Sequence, residues 1–264
     1  MAPTARSNSS VEPLEALASS VVRLRRLVEP LTPDQLAASA YPSEWTIAQV
    51  LSHLGSSAVI FERRIDDTVR AVDSPAGFER PVWDEWNAKS PRVQAADALR
   101  ADASLVARLE ALSEEERAGF EYHIGPIAFD FAGFVGLRLN EHVLHTWDIE
   151  VVLQPAAVLA PDATALVVDN LSLVARYTAT PTGHEHVVVV RTSDPTRTFT
   201  VGLGTDAVTF TSGEAPRVDA SSELRLPAEA FIRLVYGRLD PDHTPPGIEG
   251  THLLDELRKV FPGP

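Results

Sequence analysis

The sequence contains no cysteine, which excludes disulfide bonds, thiolate metal ligands and a cysteine nucleophile within the chain. Any reaction that needs a thiol must therefore receive the thiol from outside. Lysine is nearly missing as well. With only Lys89 and Lys259 present, arginine carries almost all of the positive charge.

Long apolar runs and a basic surface are also absent. No stretch of about 18 consecutive apolar residues occurs, and no apolar run follows the polar N-terminal segment MAPTARSNSS. We therefore expect a cytoplasmic protein with no membrane partner. The net charge of −14, with no cluster of Lys or Arg to offset it, makes nucleic acid an unexpected partner.

What is present indicates a folded protein whose first half is helical. The 264 residues, 44% of them hydrophobic, suffice for one large domain or two ordinary ones. Apolar spacing of three and four residues predicts four long helices, which together imply an antiparallel four-helix bundle. They lie at about 11–31, 45–69 and 92–112, and the fourth starts at Asp130 or its neighbours and runs to about 153. Between the second and third helices, the segment 73–91 is rich in Pro and Gly but carries Trp83 and Trp86, so it predicts a loop that buries an aromatic side chain.

The composition changes after residues 153–162. A helix at about 162–177 is followed by short β-branched runs at 186–192, 198–203 and 207–212, and helical spacing returns at 227–237 and 251–261. This pattern predicts a second domain of the α+β class. The expected organisation is an all-α bundle over 1–158 and an α+β domain over 159–264.

The fourth helix carries charged residues where a core stripe would be apolar. Eight residues at steps of three and four project from one face of this helix, and the middle three are ionisable. The stripe consists of Ile127, Phe131, Phe134, Arg138, Glu141, His145, Ile149 and Val152. A carboxylate buried in such a stripe needs a partner or a metal ion, because burying an isolated charge costs several kcal/mol.

Glu141 and His145 are four residues apart and can point at a single atom. His53 flanks the apolar face of the second helix and is the natural third ligand. Two histidines and a carboxylate suit Zn²⁺ with an open fourth position, or another divalent transition metal. A surface ion pair between Glu141 and His145, with His53 as an ordinary core histidine, is the alternative that the spacing leaves open.

Four other residues of the fourth helix lie close to Glu141 and His145 in sequence. We expect His142 to lie at the boundary of the stripe and Trp147 to serve packing. Asp148 could orient the imidazole of His145 or be a solvated charge at the end of the helix. Arg138 could neutralise Glu141 or bind a substrate carboxylate.

The segments WTIAQVLSHL (45–54) and NEHVLHTWD (140–148) resemble the mycothiol-dependent maleylpyruvate isomerase family. This family is a branch of the DinB-like metal-binding four-helix bundles common in actinobacteria. The resemblance implies that His53, Glu141 and His145 bind the metal. It extends to LPAEAFIRLVYGRL (226–239), which is similar to the sterol-carrier-like C-terminal domain of the isomerases, and so covers nearly the whole chain.

The resemblance also implies a reaction. Mycothiol, a low-molecular-weight thiol, would bind as a thiolate at the open metal position and add to a cis double bond, which would rotate before elimination returns the trans isomer. Arginines would hold the carboxylates of the diacid substrate, with Arg138 and Arg238 as candidates. For Arg238, a surface position after Gly237 is the alternative. We expect the second domain to cover the metal site and supply an arginine to it.

The sequence therefore leaves three alternative functions. The first is a mycothiol-dependent isomerase of an unsaturated diacid, and the second is a mycothiol S-transferase acting on an electrophile. The third is a non-catalytic metal-binding or stress-response module. The expected partners are a small-molecule substrate and the thiol, and the expected assembly is a monomer or weak homodimer.

Overall fold

The computed structural model describes residues 12–214, 216–217 and 219–263, and of Ala220 the backbone alone. The chain divides into two compact units between Ala157 and Val158, one residue from the boundary expected from the sequence. Within the described residues, no helix is long and apolar enough to cross a membrane.

The first unit is mainly helical. Its elements in chain order are α1 (Glu12–Val28), α2 (Pro33–Ala37), α3 (Ile47–Val69), α4 (Glu79–Asn87), α5 (Pro91–Glu110), α6 (Glu114–Ala118), β1 (Tyr122–Ile124), β2 (Ile127–Phe129) and α7 (Phe131–Leu153). The four long helices pack in a closed arrangement in which α1 and α3 each contact both α5 and α7. The predicted residue Val11 at the start of α1 lies outside the described residues.

The start of α3 is fixed by a capping box. The Gln49 backbone N–H donates to Thr46 Oγ1 at 3.2 Å, and the Thr46 backbone N–H donates to Gln49 Oε1 at 2.8 Å. These bonds satisfy two of the free N–H groups at the helix start. With its first turn fixed, α3 buries Ile47, Val50 and Leu51.

Two predictions for this part of the chain are wrong, although the expected burial of an aromatic side chain from the segment 73–91 is confirmed. The segment 73–91 contains the helix α4, whose buried Trp86 packs into the bundle core while Trp83 stays exposed. Ile127 does not lie on the fourth helix, because β1 and β2 form an antiparallel hairpin before that helix begins. Gly125 supplies the positive φ of 56° at the hairpin turn.

The helix α7 begins after the N-cap Asp130, whose side chain accepts a hydrogen bond from the Gly133 N–H at 2.8 Å. From there α7 runs through the charged positions Arg138, Glu141 and His145 to Leu153. The last member of the predicted core stripe, Val152, is exposed rather than buried. The stripe is therefore shorter at both ends than its spacing suggests.

The second unit combines helices with a four-stranded sheet. Its elements are α8 (Pro161–Val167), α9 (Leu171–Thr178), β3 (His186–Ser193), β4 (Arg197–Leu203), β5 (Val208–Ser212), β6 (Glu223–Pro227), α10 (Ala228–Val235) and α11 (Leu254–Val260). The strand order is β5-β4-β3-β6, antiparallel except for the parallel pair β3–β6. The sequence did not indicate β6. A helical N-terminal part followed by a sheet-containing part confirms the predicted fold class.

Candidate metal centre

The structure brings His53, Glu141 and His145 together at one place in the bundle. The side chain of His53 comes from α3 and the other two from successive turns of α7. One ligand atom from each residue lies within 4.8 Å of the other two. Glu141 Oε2 is 3.3 Å from His53 Nε2 and 3.6 Å from His145 Nε2. Three donor atoms thus converge without any change of backbone.

The cluster is open to solvent on one side. The exposed fraction of the side chain is 45% for Glu141, 30% for His53 and 12% for His145. Two imidazoles and one carboxylate fit a divalent transition metal, and three protein ligands leave a coordination position for an external molecule. The exposure of Glu141 gives such a molecule access to the site.

The imidazole of His145 is held by a second carboxylate. His145 Nδ1 donates to Asp148 Oδ2 at 2.8 Å, and Asp148 is buried. With the proton on Nδ1, the Nε2 lone pair is the one available to a metal. The hydrogen bond confirms that Asp148 orients the ring, and it excludes a solvated helix-end charge.

Burial and the contacts within the cluster alter the pKa of all three groups. Burial lowers the pKa of His53 below 6.5, which favours the neutral, metal-binding form. Burial also opposes the charge on His145 and Glu141, but other contacts outweigh it. Hydrogen bonds to Asp148 and Glu141 raise the pKa of His145, and hydrogen bonds from the two histidines hold the pKa of Glu141 well below its usual range.

Trp45 is a member of this site that the sequence reasoning did not assign. Its ring centroid lies 5.4 Å from that of His53 and 6.1 Å from that of His145, and it is nearly parallel to the latter. The indole therefore forms an aromatic wall beside both imidazoles. The available signal was its position directly before the N-cap Thr46, at the start of the helix that carries His53.

Arg138 does not pair with Glu141. Its guanidinium is buried, with Nη2 donating to Asp102 Oδ1 at 2.6 Å and to the Leu54 carbonyl oxygen at 2.9 Å. Arg238 lies in the second unit, after α10, where Nη1 donates to the Tyr236 carbonyl oxygen at 2.9 Å. It is buried rather than on the surface.

His142 is a core residue, so its expected place at the boundary of the stripe is wrong. The ring is completely buried and contacts Ser20 Oγ through Nδ1 at 2.8 Å and Asp102 Oδ2 through Nε2 at 3.3 Å. Sequence reasoning missed Asp102, although the residue sits at helical spacing among Ala98, Leu99 and Leu105, which are all buried.

Comparison with known proteins points to one family. A family model described as the mycothiol maleylpyruvate isomerase N-terminal domain matches residues 17–150. A crystal structure of the mycothiol-dependent maleylpyruvate isomerase is similar to this chain with a TM-score of 0.64 and 13% identity, over 87% of this chain and 89% of that one. A histidine-to-alanine mutant of that enzyme matches with the same TM-score and coverage at 12% identity.

These structural likenesses show the fold alone, because the sequence identities are low. A comparison with curated proteins gives no match. The family model, in contrast, spans half of the chain and includes all three residues of the candidate metal centre. The chain therefore belongs to the mycothiol maleylpyruvate isomerase N-terminal domain family.

Proposed function

We propose that this protein is a metal-dependent enzyme that uses mycothiol to isomerise an unsaturated diacid, as a maleylpyruvate isomerase does. The observation that carries the proposal is the solvent-open cluster of His53, Glu141 and His145 in a chain of this family. Zinc is the proposed metal, because it is commonly bound by two histidines and a carboxylate with one position left open.

The residues present fit such an ion. Burial keeps His53 neutral and Glu141 is ionised, while Asp148 orients His145 so that a metal would displace the Nε2 proton that its raised pKa favours. When bound, a divalent metal favours the thiolate form of a thiol in its coordination sphere. The chain has no cysteine, so that sulfur must come from the cosubstrate.

The side chains around the cluster would position the reactants. Trp45 lines the cluster beside both histidines and would exclude water from that side. In the isomerisation, the thiolate sulfur forms a C–S bond to one carbon of the cis double bond, the remaining single bond rotates, and the C–S bond breaks as the trans double bond forms again. No electrons or atoms are gained or lost overall.

A mycothiol S-transferase is the second candidate, and the position of Arg138 favours it. An isomerase of a diacid needs cations for two carboxylates, yet the guanidinium of Arg138 is buried against Asp102. An electrophile without carboxylates would not need that clamp. In this reaction the thiolate sulfur would displace a leaving group or add to the electrophile, and the C–S bond would persist in the product.

Metal analysis of the purified protein, followed by assays with mycothiol, tests the proposal. We expect about one equivalent of zinc per chain and turnover of maleylpyruvate that requires both mycothiol and metal. Formation of a stable conjugate with a generic electrophile, without isomerisation, would identify the transferase. A protein that binds metal but supports neither reaction would be the non-catalytic module, and the enzymatic proposal would then be rejected.

A further inference from the structure

A second polar cluster lies inside the bundle, beside the candidate metal centre. It consists of Ser20, Asp102, Arg138 and His142, and we call it the Asp102 cluster. Each of these residues is at most 1% exposed. Groups this polar are costly to bury unless they are paired, so their arrangement calls for an explanation.

The donors and acceptors of the Asp102 cluster form a single ordered chain. Asp102 receives the Arg138 guanidinium on one oxygen at 2.6 Å and faces His142 Nε2 with the other at 3.3 Å. Because a carboxylate can only accept, His142 Nε2 carries the proton. Its Nδ1 then accepts from the Ser20 hydroxyl at 2.8 Å. The cluster therefore fixes one tautomer of His142.

This chain of bonds ties together all four long helices. Ser20 belongs to α1, Asp102 to α5, and Arg138 and His142 to α7. The fourth connection is made by Arg138, which donates at 2.9 Å to the carbonyl oxygen of Leu54 on α3. Leu54 directly follows His53, so the cluster reaches the backbone next to one candidate ligand.

On α7 the residues of the Asp102 cluster and the candidate metal ligands form two adjacent rows. Arg138 and His142 are four residues apart in one row, and Glu141 and His145 are four apart in the next. Any rotation of α7 about its axis moves both rows together. A turn of about 10° shifts an atom roughly 6 Å from the axis by about 1 Å. In zinc sites, the distances from the metal to its ligand atoms vary by only about 0.2 Å.

We propose that Asp102 is a positioning residue for the metal centre, setting the rotation of α7 against α3 through Arg138 and His142. The inference rests on the proposed metal site and adds a residue that touches neither metal nor substrate. By holding the row of Arg138 and His142, Asp102 keeps Glu141 and His145 at the spacing from His53 that the structure shows.

The test is metal affinity in variants of the full-length protein, measured by Zn²⁺ competition with a chromophoric chelator and by the visible spectrum of bound Co²⁺. Asp102→Ala should weaken Zn²⁺ binding by roughly 10–100-fold, the range found when groups that orient metal ligands are removed. Asp102→Asn can still accept from Arg138, so we expect a smaller loss, of about tenfold or less, and a Co²⁺ spectrum closer to wild type.

Asp67 provides a matched control. It is also a buried carboxylate of the bundle, held by Arg63 at 2.7 Å and Ser74 at 2.8 Å, and it lies on α3 like His53. The two residues are 14 positions apart in sequence, which separates them by about 21 Å along the helix. Asp67→Ala should lower thermal stability but leave Zn²⁺ affinity within about twofold of wild type.

Each outcome decides the matter. Weakened binding in the order Ala, then Asn, with the Asp67 control unchanged, supports the proposal. Wild-type affinity in both Asp102 variants, or equal losses in the Asp67 control, overturns it. If Asp102→Ala does not fold, the Zn²⁺ affinities of Asp102→Asn and Ser20→Ala are compared with wild type instead. Weaker binding in these variants supports the proposal, and wild-type affinity in both overturns it. A wild-type protein that binds no metal rejects the proposed function itself, whatever the variants do.

Discussion

Gly55 allows a close approach between α3 and α5, and replacing it with alanine should destabilise the bundle. A Cβ at this position would lie 2.9 Å from the Cα of Ala98 and still closer to two ring carbons of Trp86. Carbon atoms in good contact are about 3.5–4.0 Å apart, so α5 would have to move by more than about 0.5 Å and the indole by more. Trp86 is buried and has little room to move.

Two opposing effects set the size of the change. Alanine is preferred over glycine inside a helix by about 1 kcal/mol. Overpacking a well-packed core costs about 1–3 kcal/mol, and the contact with backbone of α5 places this site at the upper end. The expected net loss in the free energy of unfolding is about 2 kcal/mol. For a chain of this size that corresponds to a decrease in Tm of roughly 4–8 °C.

Thermal denaturation followed by circular dichroism measures the loss. Gly119→Ala is the control, because Gly119 has φ −93° and its nearest neighbour, the Glu115 carbonyl oxygen, would be 3.4 Å from the new Cβ. That variant should stay within about 0.5 kcal/mol of wild type. In the double variant Gly55→Ala/Trp86→Leu, the two losses should be less than additive. A Gly55→Ala protein as stable as wild type would refute the close packing of α3 on α5.

Three further predictions concern the candidate site. At saturating zinc, His145→Ala should lose most of its metal, whereas His142→Ala should load to near the wild-type content, and equal losses would place the ligands on the wrong face of α7. In chelator-treated protein, the raised pKa of His145 stabilises the fold fully below about pH 6.5 and this gain is lost as the pH rises through the folded pKa. The Tm difference between wild type and His145→Gln should therefore shrink above pH 6.5, and a constant difference would contradict the pKa direction. We also propose that Arg238 binds a substrate carboxylate, so Arg238→Lys should raise KM with unchanged metal content, and an unchanged KM would exclude that role.

The elements that the sequence predicts well are those with strong periodicity. The apolar positions of α3 recur at helical spacing, so the sequence predicts which face of this helix is buried. The positions of Glu141 and His145 follow from that same periodicity on α7. Their convergence with His53 could be anticipated because all three residues lie on long helices, whose faces are defined by the sequence alone.

The parts that were missed depend on contacts between distant segments. The hairpin before α7 and the strand β6 are only three to five residues long, too short for a periodic signal. Arg138 could have formed an ion pair with Glu141 on its own helix, but it pairs with Asp102, which lies 36 residues earlier in the sequence. The packing of the helices determines which of the two carboxylates pairs with the arginine. The spacing of residues along one helix does not determine this.

The separation of α7 into two polar rows has an evolutionary consequence. The row of Arg138 and His142 is buried and linked to three other helices, so most changes there should compromise folding. Glu141, by contrast, is nearly half exposed, and His53 opposite it is partly exposed, so changes there cost far less stability. A lineage built on this bundle is therefore free to alter or abandon its metal chemistry while the scaffold persists. Descendants with an intact interior and altered ligands are the divergence that this architecture favours.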